Sequence, residues 1–215
     1  MGRLVLSDPP QLKGAVRYKK YRNWLLANFH YRICGYCFCV HEYVVIDHIS
    51  PQDAFASLTH RHDNLIMACQ TCNRQKGDYH PGHHKRKRMG KVTAKHLVLN
   101  CKNDDFATLL NVNADGEMTS RVGPDSDKAD WTIALLALDR DFLVKYRAKA
   151  IRNLNNLDAA LKVANPPEPL KQAIADLIDS ISKTQLFYRV MGIQMSTLVE
   201  IELSKALDRP LAKAV

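Results

Sequence analysis

The segment that decides the fold opens with Cys34-Gly35-Tyr36-Cys37 and closes with Cys69-Gln70-Thr71-Cys72-Asn73. Each Cys-x-x-Cys pair places two thiolates within reach of one ion, and four sulfurs satisfy the tetrahedral coordination of zinc. The pairs are separated by residues 38–68, a longer insert than the about 15–20 residues of a simple zinc ribbon. The pattern predicts a structural zinc site whose four positions are all filled by Cys34, Cys37, Cys69 and Cys72.

Two alternatives to this zinc site stay open at the level of sequence. The cysteines can be buried free thiols, although two matched pairs in one segment disfavour that reading. Cys39 lies close enough to Cys37 to compete with it as a ligand, and only the Cys-x-x-Cys spacing favours Cys37. Cys101 has no spaced partner and is expected to be an ordinary buried thiol.

The insert between the cysteine pairs carries a candidate catalytic dipeptide, Asp47-His48. A carboxylate suits a hard divalent ion such as Mg²⁺ or Mn²⁺, and an imidazole suits the removal of a proton from water near neutral pH. The β-branched run over residues 42–49 predicts a strand, paired in a hairpin with residues 31–37. Because neighbouring strand residues point to opposite faces, a bulge or strand end before Pro51 is needed to bring both side chains to one site.

Two asparagines complete the candidate site. Asn73 follows a zinc cysteine within a predicted short helix, residues 69–76, that Gly77 ends, and its amide oxygen is a suitable second metal ligand. Asn64 precedes the second cysteine pair and is expected to orient the His48 ring through its side chain or its backbone. A water, an oriented base and one metal at the scissile phosphate are what phosphodiester hydrolysis requires.

Together these residues resemble the motif of HNH endonucleases of the zinc-bearing kind, over about residues 30–78. The resemblance implies a ββα-metal fold, with His48 as the general base and Asn64 orienting it. It also implies that Asp47 and Asn73 bind the catalytic Mg²⁺ or Mn²⁺. Asn73 stands where the motif's last letter is His, a substitution common in the family. The motif is carried by Cys34-x-x-Cys37, Asp47-His48-Ile49-x-Pro51, Asn64-Leu65 and Cys69-x-x-Cys72-Asn73-x-x-Lys76-Gly77.

A weaker pattern follows in the second half of the chain. It is similar to a C-terminal region of HNH proteins in bacterial phage-defence systems, such as the nuclease subunit of Septu-type systems. That resemblance implies an antiviral role beside an ABC-type ATPase partner. The pattern consists of Asp104-Asp105-Phe106, Asp115-Gly116, Trp131-Thr-Ile-x-Leu-Leu-x-Leu-Asp-Arg and Leu143-Val144-x-x-Arg147.

Charge is distributed unevenly along the 215 residues, whose net charge is +9. Residues 1–100 contain 16 Lys and Arg against 6 Asp and Glu, or +10, whereas residues 101–215 contain 15 against 16, or −1. A polyanion is therefore the expected partner of the first half, since Lys and Arg gain affinity by displacing counterions from phosphates. The candidate phosphate contacts are Lys76 and the run Lys85, Arg86, Lys87 and Arg88, for which a solvated loop is the alternative.

Composition is typical of a soluble globular protein, with 46% apolar and 25% charged residues. Apolar runs fall short of the about 20 residues of a membrane span, and the first residues are too polar for a signal peptide. A cytoplasmic protein with reduced cysteines and no membrane partner is expected.

The whole sequence predicts an α+β chain with a ββα-metal core. Its expected parts are a nuclease domain over 1–95 that includes a helix at 17–29, a β-rich connecting segment over 96–125, and a helical region over 126–215. The last region is expected to contain one long helix ending before Asn165-Pro166-Pro167, a second helix over 170–181 and a third over 196–207. DNA hydrolysis is the favoured function; the alternatives are an RNA or tRNA endonuclease and a non-catalytic zinc-ribbon binding module.

Overall fold

The computed structural model describes residues 6–12, 17–29, 32–81, 88–89, 92–93, 98–191 and 193–207. It confirms an α+β chain whose first half holds a ββα unit and whose second half is mostly helical. Three short 3-10 helices cover Tyr18–Tyr21, Ala56–Leu58 and His62–Asn64. The helices are α1 (Arg22–Asn28), α2 (Gln70–Lys76), α3 (Phe106–Leu109), α4 (Ser126–Leu135), α5 (Asp141–Leu161), α6 (Glu168–Val190) and α7 (Thr197–Leu207). The strands are β1 (Val44–His48), β2 (Leu65–Cys69), β3 (Arg88–Met89), β4 (Val92–Thr93), β5 (Leu110–Val112) and β6 (Met118–Ser120).

The ββα unit consists of β1, β2 and α2. The two strands pair antiparallel in a register that runs from Val44 opposite Cys69 to His48 opposite Leu65. All five residues of β2 are buried, and α2 follows β2 without an intervening loop. Cys69 is the N-cap of α2 and Gly77 ends the helix with a positive φ of 54°, a conformation that glycine adopts without strain.

The partner of β1 differs from the one predicted. Residues 33–40 fold back on themselves, joined by an antiparallel bridge between Ile33 and Val40. Phe38 has a φ of 58°, which reverses the chain directly after Cys37 and prevents this segment from running alongside β1. Strand β1 instead pairs with β2, which comes later in the chain and ends at Cys69.

The long helix predicted to end before Asn165-Pro166-Pro167 is broken into α4 and α5. Ala137 has a φ of 46°, and the amide of Leu138 donates to the carbonyl of Ile133 at 2.9 Å, which is the hydrogen bond of a Schellman helix end. The Arg140 guanidinium then donates to the carbonyls of Leu136 (2.8 Å) and Ala137 (2.9 Å). Arg140 thus satisfies the carbonyls at the break, while Ala137 takes up a left-handed conformation that costs an L-residue about 1–2 kcal/mol.

The connecting segment holds a hairpin, β5 and β6, as predicted, but its first part is helical. Asp105 is the N-cap of α3 and accepts a hydrogen bond from the amide of Ala107 at 3.1 Å, so residues 106–109 turn into a helix before β5 begins. Further on, α5 and α6 form the predicted helical hairpin, and α7 packs against both.

The buried residues of the first and second halves form one hydrophobic core. Phe38 packs edge-on against Phe106 with ring centroids 5.0 Å apart, and Tyr79 packs against Trp131 at the same distance. No helix in the described ranges is long and apolar enough to cross a bilayer.

Arg147 is the buried link between the hairpin and the helices. Its Nε donates to the carbonyl of Gly116 at 2.6 Å and its Nη2 to that of Leu138 at 2.8 Å. Several residues that carry the weaker sequence pattern are thus interior, including Phe106, Gly116, Trp131 and Arg147. In this chain they contribute to the core that both halves share.

Gly116→Ala tests this link. Gly116 has a φ of 83°, and a Cβ there would lie 2.1 Å from the Val144 carbonyl oxygen in the α5 backbone. We expect a loss of at least about 2 kcal/mol, since a left-handed conformation alone costs an L-residue about 1–2 kcal/mol. Thermal unfolding should show it as a melting temperature lower by several degrees. Gly123→Ala is the control, because no heavy atom lies within 4 Å of a Cβ at that position; equal melting temperatures for the two variants would contradict the packing described here.

Candidate metal centre and active site

Four sulfurs converge at the end of β2. The Sγ atoms of Cys34, Cys37, Cys69 and Cys72 all lie within 4.8 Å of one another, and all four residues are buried. A tetrahedral zinc with Zn–S bonds of about 2.3 Å requires sulfurs about 3.8 Å apart, so this donor set fits zinc. The Cys69 Sγ also accepts a hydrogen bond from the Cys72 amide at 3.4 Å, so the helix start holds both ligands in place.

Protons compete with an ion for these sulfurs. Burial raises the pKa of the Cys34 thiol well above its ordinary value, whereas hydrogen bonds from Cys34, Cys37 and Cys72 lower the pKa of Cys69. A metal ion that binds these sulfurs therefore has to displace thiol protons.

Two further polar groups surround the sulfur cluster. The His41 Nε2 lies 3.4 Å from the Cys37 Sγ, and the Arg140 Nη2 lies 3.9 Å from the Cys72 Sγ. Four thiolates around Zn²⁺ carry a net charge of −2, which the Arg140 cation offsets in part. The Cys39 thiol contacts the Cys37 carbonyl at 3.7 Å and groups with Cys37 and His41, outside the four-sulfur cluster.

His48 is oriented by a carbonyl group. Its Nε2 lies 2.9 Å from the backbone oxygen of Thr59. Since a carbonyl oxygen only accepts hydrogen bonds, Nε2 must carry the ring proton, and the neutral ring leaves Nδ1 as an acceptor. Within the described part of the chain, Nδ1 has no hydrogen-bond partner.

Asn64 acts on His48 through the loop that supplies this carbonyl. Its side-chain oxygen accepts from the Ser50 amide at 2.7 Å, and its Nδ2 donates to the carbonyls of Ser50 (3.0 Å) and Leu58 (3.3 Å). The Asn64 side chain thus joins the end of β1 to the residue before Thr59. The orientation is indirect, because Thr59 and not Asn64 contacts the ring.

Asp47 is held by two side chains. Its Oδ2 accepts from the Tyr36 hydroxyl at 2.7 Å, and the Lys76 Nζ lies 3.3 Å from Oδ2 and 3.4 Å from Oδ1. Burial raises the pKa of this carboxyl group, and the Lys76 charge opposes that shift. A carboxylate offers about four acceptor positions, so Asp47 keeps capacity for an ion after these contacts.

Lys76 lies where it cannot reach a phosphate, contrary to the sequence-based expectation. Its side chain is 1% exposed, and its ammonium donates to the His48 carbonyl at 2.6 Å besides facing Asp47. A single buried cation therefore binds both residues of the candidate catalytic dipeptide to α2.

Asn73 lies one helical turn before Lys76, which places the two side chains on the same side of α2. The side chain is half-buried and makes no hydrogen bond to the residues that the structure describes. An amide oxygen and a carboxylate, as in Asn73 and Asp47, are hard ligands of the kind that Mg²⁺ and Mn²⁺ prefer.

The other predicted phosphate contacts cannot be placed. Lys85, Arg86 and Lys87 lie outside the described residues, and Arg88 is described only as the first residue of β3.

Sequence reasoning missed several residues that build the site. Tyr36 sits inside a Cys-x-x-Cys pair, which was the one available signal for it. Lys102 had none: its Nζ donates to the carbonyls of His62 (2.9 Å), Asp63 (3.1 Å) and Leu65 (2.9 Å), and burial lowers its pKa to about 8. It fixes the backbone on both sides of Asn64.

Lys76→Met distinguishes an internal ion pair from a phosphate contact. The change leaves Asp47 buried without its cation, for which we expect a loss of about 3–5 kcal/mol in the free energy of unfolding. Arg74→Met is the control on the same helix, since Arg74 is exposed and should change stability by no more than about 0.5 kcal/mol. Urea denaturation measures the stability of both variants. A Lys76→Met chain of unchanged stability but weaker nucleic-acid binding would show that Lys76 contacts phosphate after all.

Elemental analysis tests the sulfur cluster. The purified chain should contain about one zinc, and Cys69→Ser should lose it and lower the melting temperature, because metal binding and folding are coupled. Cys101→Ala is the matched control: that thiol is equally buried but lies outside the cluster, so its variant should keep the zinc. Zinc retention in a chain lacking all four cluster cysteines would refute the assignment.

Comparison with known proteins agrees with this geometry. A search of curated proteins gave no match. Residues 32–79, which include the four cysteines, Asp47, His48, Asn64 and Asn73, match the family model for HNH endonucleases, and this part of the chain is therefore similar to nucleases that act on nucleic acid.

Proposed function

We propose that this protein is a metal-dependent endonuclease that hydrolyses phosphodiester bonds in DNA. The observation that carries the proposal is the state of His48: the Thr59 carbonyl holds its Nε2 at 2.9 Å, which leaves Nδ1 ready to accept a proton.

In the proposed mechanism His48 is the general base. Its Nδ1 takes the proton of the attacking water, and the Thr59 carbonyl stabilises the imidazolium that forms. Asp47 and Asn73 would hold a Mg²⁺ or Mn²⁺ ion, which would supply charge stabilisation at the scissile phosphate.

Tyr36 and Lys76 serve the mechanism through Asp47. Burial alone would favour the protonated carboxyl group, which is a poor metal ligand. The Lys76 ammonium and the Tyr36 hydroxyl favour the carboxylate and fix its direction. They are positioning residues, since neither is proposed to touch the substrate.

His48→Ala separates catalysis from folding. The variant removes the base but no zinc ligand, so it should fold, keep its zinc, bind nucleic acid and cut at least about 100-fold more slowly. Asp47→Ala and Asn73→Ala should also lose activity, yet higher Mg²⁺ or Mn²⁺ should restore part of it, because metal occupancy is what they lack. Rates from plasmid cleavage under matched metal and salt measure all three. Wild-type cutting by His48→Ala would refute the mechanism.

The substrate and the alternatives are tested together. Supercoiled plasmid, linear DNA and RNA are each incubated with the purified chain and Mg²⁺, Mn²⁺ or EDTA. Metal-dependent cutting of DNA supports the proposal, and cutting of RNA alone supports an RNA or tRNA endonuclease. Binding without cutting under every condition would leave a non-catalytic zinc-ribbon module.

A role in phage defence beside an ABC-type ATPase is a finer proposal, supported only by the sequence pattern between Asp104 and Arg147. Three residues of this pattern, Phe106, Trp131 and Arg147, are buried in the core. They therefore indicate how the second half of the chain folds, and they do not form a surface that could bind a partner. Co-expression with a candidate ATPase, followed by purification of a complex, tests it.

A further inference from the structure

We infer that the 3-10 helix Tyr18–Tyr21, together with Arg17 just before it, is the surface that binds the phosphodiester backbone of the substrate beside His48. This surface, here called the basic turn, consists of Arg17, Lys19 and Lys20. The inference rests on the proposed function, because it concerns the substrate of the same site.

The basic turn is adjacent to the candidate general base. Tyr18, which lies within it, packs edge-on against the His48 ring with centroids 4.8 Å apart. The other neighbour of Tyr18 is His60, whose ring is stacked at 6.2 Å. Arg17 and Lys19 flank Tyr18 in the chain, so their Cα atoms lie about 3.8 Å from that of the residue that contacts His48.

Contacts with β1 and the N-terminal segment fix the helix in this place. The Arg22 Nη2 donates to the Val44 carbonyl at 3.3 Å, at the start of the strand that carries His48. The Trp24 Nε1 donates to the Ser7 hydroxyl at 3.1 Å, and the Ser7 amide donates to the Asn28 side chain at 2.7 Å. The position of the basic turn relative to His48 is thus set by the fold.

The charge of the basic turn is not compensated. Between Asp8 and Glu42 the sequence has six Lys and Arg and no acidic residue. Arg17, Lys19 and Lys20 are exposed, and none forms an ion pair with a residue that the structure describes. By contrast, the exposed Lys162, Lys171 and Lys205 each pair with an acidic residue of their own helix: Asp158, Glu168 and Glu202.

Unpaired cations of this kind suit phosphates more than bases. Lys and Arg that replace counterions along a nucleic-acid backbone give affinity without sequence information. The Tyr18 ring is occupied by His48 and His60, so it is not a free stacking platform for a base. Binding at the basic turn should therefore be independent of sequence and sensitive to salt.

The test compares two variants that remove the same three charges. Arg17→Gln/Lys19→Gln/Lys20→Gln changes the basic turn, and Lys162→Gln/Lys171→Gln/Lys205→Gln changes the paired lysines. Both are made in an Asn73→Ala chain, which leaves the Tyr18–His48 contact intact while blocking the proposed cutting. Anisotropy measures binding to a short DNA duplex and to a single-stranded RNA over a range of salt concentrations.

The slope of log K against log salt is negative, and its magnitude grows by about 0.9 with each phosphate contact on duplex DNA. We expect the basic-turn variant to reduce that magnitude by about 2–3. On single-stranded RNA the contribution is about 0.7 per contact, so each loss is divided by its own value per contact. The probe on which more contacts are lost identifies the substrate. The control triple variant should keep the parent slope. The single changes Lys19→Gln and Lys20→Gln should each remove about one contact and decide the matter if the triple variant loses its zinc.

An unchanged slope in the basic-turn variants would overturn the inference, as would equal losses in the control, or a parent chain that binds neither probe. These outcomes are separate from the fate of the proposed function. Loss of slope in a protein that cuts no nucleic acid would keep the binding surface and refute the nuclease. Cutting by the wild-type chain, together with an unchanged slope in the basic-turn variant, would keep the nuclease and refute the binding surface.

Discussion

The convergence of four cysteine sulfurs within 4.8 Å is the constraint on which the rest of the structure depends. Cys34 and Cys37 come from a turn before β1, whereas Cys69 ends β2 and Cys72 lies in the first turn of α2. Bringing these sulfurs together closes the insert between the pairs and sets the strand and the helix of the candidate active site against each other. An ion there would convert four buried thiols into ligands, and its binding would then be coupled to folding.

The cysteine turn also contributes to the catalytic side of the structure. Tyr36 lies between two zinc-type cysteines, yet its hydroxyl binds Asp47 at 2.7 Å. Lys76, from the helix that begins at the second cysteine pair, completes the same contact. The carboxylate proposed to hold the catalytic ion is thus fixed by both arms of the sulfur cluster, which gives a physical reason for a structural metal beside a hydrolytic site.

Residues of the second half of the chain contact both the sulfur cluster and the loop beside His48. Arg140, at the break between α4 and α5, lies beside the Cys72 sulfur and offsets the charge of the cluster. Lys102 holds three carbonyls around Asn64, whose side chain in turn steadies the loop that orients His48. Removing the residues after 98 would therefore expose the polar backbone on which the position of the candidate base depends.

Sequence alone determined what is local in this protein. Cysteine spacing predicted which sulfurs meet, a β-branched run predicted β1, Gly77 marked the end of α2, and apolar periodicity predicted α6 and α7. What depends on distant residues was decided by tertiary structure. The partner of β1 follows from the reversal at Phe38. The helix break at Ala137 has no glycine to mark it, and Arg140 satisfies the carbonyls there from the next turn of the chain. Lys76 reads as a surface cation in the sequence, and only its burial against Asp47 and the His48 carbonyl makes it an internal one, because the free energy of an ammonium group is set by the groups that replace its water.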